Sequence, residues 1–83
     1  MTTFLDNHRG PFRLMLTRPY VTRKGFYRSE WIMGLTERDD VESEALGYLT
    51  DPRDTVIGVN VWSASEQQFI GGYKVPAKGH DNG

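Results

Sequence analysis

Phe12, Leu14 and Leu16 alternate with Arg13, Met15 and Thr17, the two-residue period of a strand with one buried face. Pro19 closes that run, because proline has no amide hydrogen to give to a ladder. A polar, basic connection over residues 20–26 leads to a second alternating run over 27–35. There Ser29, Trp31, Met33 and Leu35 share one face, and Arg28, Glu30 and Ile32 share the other. The two runs predict an antiparallel hairpin with a long loop, a length of loop that often carries function.

The period then changes. Val41, Ala45, Tyr48 and Leu49 fall at i, i+4, i+7 and i+8, the buried stripe of an amphipathic helix. Leu46 lies outside that stripe. Asp39 is placed to cap this helix with Glu42 three residues on, an approximate capping box. Gly47 weakens the helix and predicts a close approach to a sheet, and Pro52 stops it. The helix should run for about three turns.

Alternation returns over residues 55–62, with Ile57, Val59 and Val61 on one face and Val56, Gly58, Asn60 and Trp62 on the other. A turn over 63–67 leads to a last strand over 68–75. Gly71 and Gly72 there point to a bulge or a close backbone contact.

The element order is β-β-α-β-β. It predicts one α+β domain over residues 1–83: a four-stranded, mostly antiparallel sheet with one helix packed on one face. The ends, at about 1–11 and 76–83, read as loose. One short helix cannot cover four strands, so the opposite face should expose Met15, Ile32, Trp62, Phe69 and Tyr73. Exposed apolar area of that kind points to a partner or a second subunit.

Composition narrows the chemistry. The 83 residues contain no cysteine, which excludes disulfides, thiolate metal sites and a cysteine nucleophile. With no apolar run long enough to span a bilayer and no signal-peptide core, the chain reads as cytoplasmic. His8 and His80 lie near opposite ends, without metal-ligand spacing, and read as solvated. None of Ser29, Ser43, Ser63 and Ser65 sits in a nucleophile motif. Glu30 and Glu37 are the nearest approach to an acid/base pair, and nothing in the sequence fixes their geometry. Gly71–Gly72 precedes no helix and so makes no phosphate cradle. The expectation is a protein that is not an enzyme and takes no metal or cofactor.

Net charge is only −1, but it is unevenly spread. Residues 1–30 carry a net +4 and residues 31–54 a net −5, which suggests two surfaces of opposite sign, or two segments that neutralise each other within the fold. Two candidate partner-binding sites follow. One is a basic-aromatic loop of Arg18, Tyr20, Arg23, Lys24, Phe26 and Arg28, whose cations suit phosphates and whose rings suit unpaired bases. The same residue types also dominate protein interfaces. The other is an acidic helix start of Glu37, Asp39, Asp40, Glu42 and Glu44, which can stand in for phosphates in a basic groove. The helix dipole accounts for acids there without any partner.

The phrases Val59-Asn60-Val61-Trp62 and Gln68-Phe69-Ile70-Gly71-Gly72-Tyr73 form the terminal hairpin of this β-β-α-β-β order. With the lack of an active-site motif, the architecture from residue 12 to 75 resembles the small anti-CRISPR proteins of bacteriophages and mobile elements. The resemblance carries over no individual residue. It implies a stoichiometric inhibitor in a host cytoplasm that docks on a bacterial nuclease or surveillance complex and blocks nucleic-acid access. The alternatives are a small nucleic-acid-binding regulator and a structural subunit of a homo-oligomer.

Overall fold

A computed structural model of the chain describes residues 4–21, 23–25 and 27–75. Strand β1 (Phe12–Val21) is the organising element. Its inward side chains Phe12, Leu14 and Leu16 are all buried. It pairs antiparallel with β2 (Tyr27–Trp31) on one side and with β3 (Gly58–Ser63) on the other. Strand β4 (Gln68–Lys74) pairs antiparallel with β3, giving the order β2-β1-β3-β4. Strands β2 and β3 therefore run parallel with β1 between them, and such a connection needs a crossover. Helix α1 (Arg38–Thr50) supplies it. The expected α+β fold, with one helix on a four-stranded antiparallel sheet, is present.

The helix buries the stripe its period predicts. Val41 and Ala45 are buried, and Tyr48 and Leu49 pack partly against the same core of Phe12, Leu14, Leu16, Val59 and Val61. Leu46 is exposed. The helix starts earlier than expected. Its N-cap is Glu37, not Asp39, and no side chain caps it. The chain enters α1 directly from a β-bridge between Phe12 and Thr36, so helical geometry begins as soon as that bridge releases. Gly47 approaches no sheet, since a Cβ there would meet nothing within 4 Å.

The first hairpin departs from simple alternation at both ends. Pro19 lies inside β1 rather than ending it. Pairing with β3 stops at Thr17–Gly58, and the register with β2 shifts between Arg18 and Val21. A missing amide hydrogen is tolerated at such an irregular overhang. Strand β2 ends at Trp31, short of Leu35. Trp31 lies opposite Met15 and Thr36 opposite Phe12, so the chain uses five steps where β1 uses three. The extra length loops out through Gly34 (φ 88°), leaving Met33 and Leu35 exposed. Trp31 takes the face away from the helix and Ile32 packs on the core, the reverse of the expected assignment. Val56 is also buried, because it precedes β3 and is not bound by that strand's alternation.

A bulge in β4 decides a second assignment. Trp62 pairs with Phe69 but Val61 pairs with Gly71, so Ile70 is an extra residue. Phe69 therefore stays on the uncovered face while Tyr73, opposite Val59, turns to the core side. The bulge expected at Gly71–Gly72 thus lies one residue upstream. The close contacts do fall on the glycines. A Cβ on Gly71 would sit 2.7 Å from the Phe4 ring, and one on Gly72 would sit 2.7 Å from the Val59 carbonyl oxygen.

The N-terminal segment is more ordered than a loose lead-in. Phe4–Asn7 form a 3-10 turn, with Leu5 buried and Phe4 against Tyr73 at 5.6 Å. This turn covers the part of the sheet that α1 leaves bare on the helix side. Glu66, in the β3–β4 turn, fastens it. One carboxylate oxygen meets His8 Nδ1 at 2.9 Å and the other accepts the Arg9 amide at 2.7 Å. Buried Ser63 donates to the Arg9 carbonyl at 2.6 Å, and Ala64 donates to the Pro11 carbonyl at 3.0 Å. His8 is thus partnered rather than solvated. His80 and the expected tail at 76–83 lie outside the described residues.

Two consequences are measurable by thermal denaturation. Gly47→Ala should stabilise by about 0.5–1 kcal/mol through helix propensity. Gly72→Ala should cost about 1–3 kcal/mol because the facing carbonyl cannot move aside. The melting temperatures should shift by roughly 4–8 °C per kcal/mol, in opposite directions. The Arg9 amide and then His8 hold Glu66 down at about 2, from an ordinary 4.5. A carboxylate depressed in the folded state stabilises above its unfolded value and loses that contribution as pH falls through its folded value. Glu66→Gln should therefore melt lower than the parent at neutral pH, and the two should converge between about pH 4.5 and about 2.

Candidate partner-binding surfaces

Within the basic-aromatic loop, Arg18 is taken up by the fold itself. Arg18 points to the helix side of the sheet, where it bonds Glu30 at 2.9 Å and also pairs with Asp54. Its side chain is largely covered. The hydrogen bonds to Glu30 and then Asp54 hold the guanidinium more firmly protonated than usual. Arg18 therefore clamps β2 to the segment after α1, and is a structural ion-pair centre rather than a free contact for a partner. Arg23, Lys24 and Arg28 are exposed. The Tyr20 backbone belongs to β1, its side chain lies outside the description, and Phe26 lies outside the described residues.

The acidic helix start is brought together as a surface. Glu37, Asp39, Asp40, Glu42 and Glu44 are all exposed on or beside the first two turns of α1. Thr36 reaches Glu44 at 3.5 Å. Among the described residues none of the five forms an ion pair, whereas Asp51, Asp54, Glu30 and Glu66 all do. Arg38, the cation within this stretch, donates to the His8 carbonyl instead. Burial, and secondarily the charge of Glu42, push the Tyr73 phenol above its ordinary value. The Tyr73 hydroxyl is buried without a hydrogen-bond partner among the described residues.

A third surface is the sheet face away from α1. Antiparallel partners point the same way, so Met15 and Trp31, Arg13 and Trp62, and Trp62 and Phe69 project from it together. Their rings form one cluster. Trp31 stacks on Phe69 at 5.7 Å and 11°, and Trp62 meets both edge-on at 6.0 and 5.0 Å. The Arg13 guanidinium lies 4.4 Å from the Trp31 ring centroid, a cation–π contact. Trp31 and Phe69 remain 37% and 48% exposed.

At the other end of the same face Gly58 and Gly72 leave the backbone bare. The result is a groove of about 470 Å³ flanked by Thr17, Asn60 and Lys74. Met15, Trp62 and Phe69 are where alternation puts them. Alternation also assigns Arg13 to this face, opposite the inward Phe12 and Leu14, but charge counting along the chain hides it. The β4 bulge was needed to see Lys74 there.

Glu30 is bound to Arg18 on the sheet, and Glu37 occupies the N-cap position of α1 without a side-chain capping bond. Among the described residues no three His, Asp or Glu side chains converge to hold a metal ion. No described helix is long and apolar enough to cross a membrane. Comparison of the chain with family models, with curated proteins and with solved structures finds no match.

Arg18→Ala tests the clamp. It should lower stability by roughly 1 kcal/mol, since two carboxylates lose a partially covered partner. Charge reversal at exposed Arg23 or Lys24 should change stability by less than about 0.5 kcal/mol. Urea titrations of the three variants check both outcomes.

Proposed function

We propose that the chain is a non-catalytic, protein-binding inhibitor that docks the acidic flank of α1 into a basic, nucleic-acid-binding groove of its partner. The observation that carries this reading is the uneven use of charge. The fold consumes Arg18, and it consumes four carboxylates elsewhere in ion pairs. Five carboxylates along the start of one rigid helix are left exposed and outside any ion pair among the described residues. Negative groups fixed on a helix present a phosphate-like array without the entropy cost of ordering it on binding. The anti-CRISPR resemblance names a partner of this kind: a bacterial RNA-guided nuclease or surveillance complex whose guide or target channel is lined with cations.

Titration of the chain into purified RNA-guided effectors of each major type, read by target cleavage or target binding, tests the reading. Activity of at least one effector should fall close to zero near one chain per complex. The double variant Asp39→Lys, Asp40→Lys should restore it, because reversed rim charges suppress encounter and oppose docking. Uninhibited activity across the panel overturns the reading, as does inhibition that survives the reversal.

A further inference from the structure

The sheet face opposite α1 has a charge character of its own. The described strand residues projecting from it include Arg13, Met15 and Thr17 of β1, Ser29 and Trp31 of β2, Gly58, Asn60 and Trp62 of β3, and Phe69, Gly72 and Lys74 of β4. Among these described residues two are cations and none is a carboxylate. The helix side, by contrast, carries the unpaired acids of α1. In a chain of net charge −1, this sorting favours an anion on the sheet side and repels it from the helix side. The inference does not depend on the inhibitor reading, which uses the other side of the molecule.

We infer that this face binds single-stranded nucleic acid. Charge alone calls for an anion; three further features select this one. Phe69, at the rim of the ring cluster and 48% exposed, offers ring surface on which an unpaired base can stack. Arg13 is held in place over Trp31, and no carboxylate among the described residues neutralises it. It is therefore poised to meet a phosphate next to the stacked base. The glycine-floored groove beyond it is flanked by a hydroxyl, an amide and an ammonium group in Thr17, Asn60 and Lys74. Asn60 can both donate to and accept from a base edge, and Lys74 supplies the second phosphate contact. An acidic peptide would use the cations but would leave the rings and the Asn60 amide without partners.

The test uses the intact chain and fluorescein-labelled homopyrimidine oligonucleotides, one DNA and one RNA, with anisotropy read across a salt series. Binding should appear at low salt. The slope of log K against log salt should be about −1.4 for two phosphate contacts on a single strand. Phe69→Ala should weaken binding by roughly 5- to 150-fold, the effect of losing one base–aromatic stack. Arg13→Gln and Lys74→Gln should each remove about half of the salt slope. The far-UV spectrum and the cooperativity of thermal unfolding report whether each variant keeps its fold. Asp39→Lys, Asp40→Lys should not weaken oligonucleotide binding, which separates this site from the acidic flank of α1. No anisotropy change at low salt overturns the inference. So does binding that Phe69→Ala, Arg13→Gln and Lys74→Gln leave intact, and so does polyglutamate competing as strongly as the oligonucleotide.

Discussion

Strand β1 is shared by both halves of the sheet, and its inward residues Phe12, Leu14 and Leu16 are the floor on which everything else is placed. Val59 and Val61 extend that floor across β3, and Val41 and Ala45 close it from the helix. The two-residue period of a strand makes this arrangement binary. Once Phe12, Leu14 and Leu16 face α1, Arg13, Met15 and Thr17 must face the other way. The outward set of β1 therefore follows from burial on the opposite side. It does not need a separate folding instruction.

Two irregularities modify that binary rule, and both alter the surface. Looping out around Gly34 exposes Met33 and Leu35 and lets Thr36 return to pair with Phe12. The extra residue Ile70 reverses the phase of β4, sending Phe69 outward and Tyr73 inward. With Phe69 outward, the Trp31–Trp62–Phe69 cluster can close. With Tyr73 inward, Phe4 can pack against it and the N-terminal turn completes the helix-side layer. A single bulge thus contributes to the core and to the candidate binding face at once, in keeping with the use of bulges to re-aim side chains.

Electrostatics divides along the same plane. Neutralisation within the fold is real but selective: Arg18 joins the basic first segment to Glu30 and to Asp54 of the acidic one. Glu66 joins the chain start to the terminal hairpin. These pairs are fastenings between segments far apart in sequence. Among the described residues, what they leave over is a carboxylate-bearing helix on one side and a sheet face without carboxylates on the other. The near-zero net charge is the sum of two unlike surfaces.

The element order, the helical stripe of Val41, Ala45, Tyr48 and Leu49, and the inward set of β1 were legible in the sequence. Each depends on a local period, and local periods survive whatever the neighbours do. The acidic cluster was legible for the same reason, since its residues are adjacent on one helix. Arg18 looked like part of a loop surface because its partners lie 12 and 36 residues away, and sequence proximity to Arg23 and Lys24 says nothing about that. The face of Trp31, the reversal at Ile70 and the gathering of Arg13, Trp31, Trp62 and Phe69 were decided only by tertiary structure. Register between strands, and the point at which it slips, is fixed by pairing partners distant in the chain. Periodicity gave each strand two faces; pairing chose which face met water.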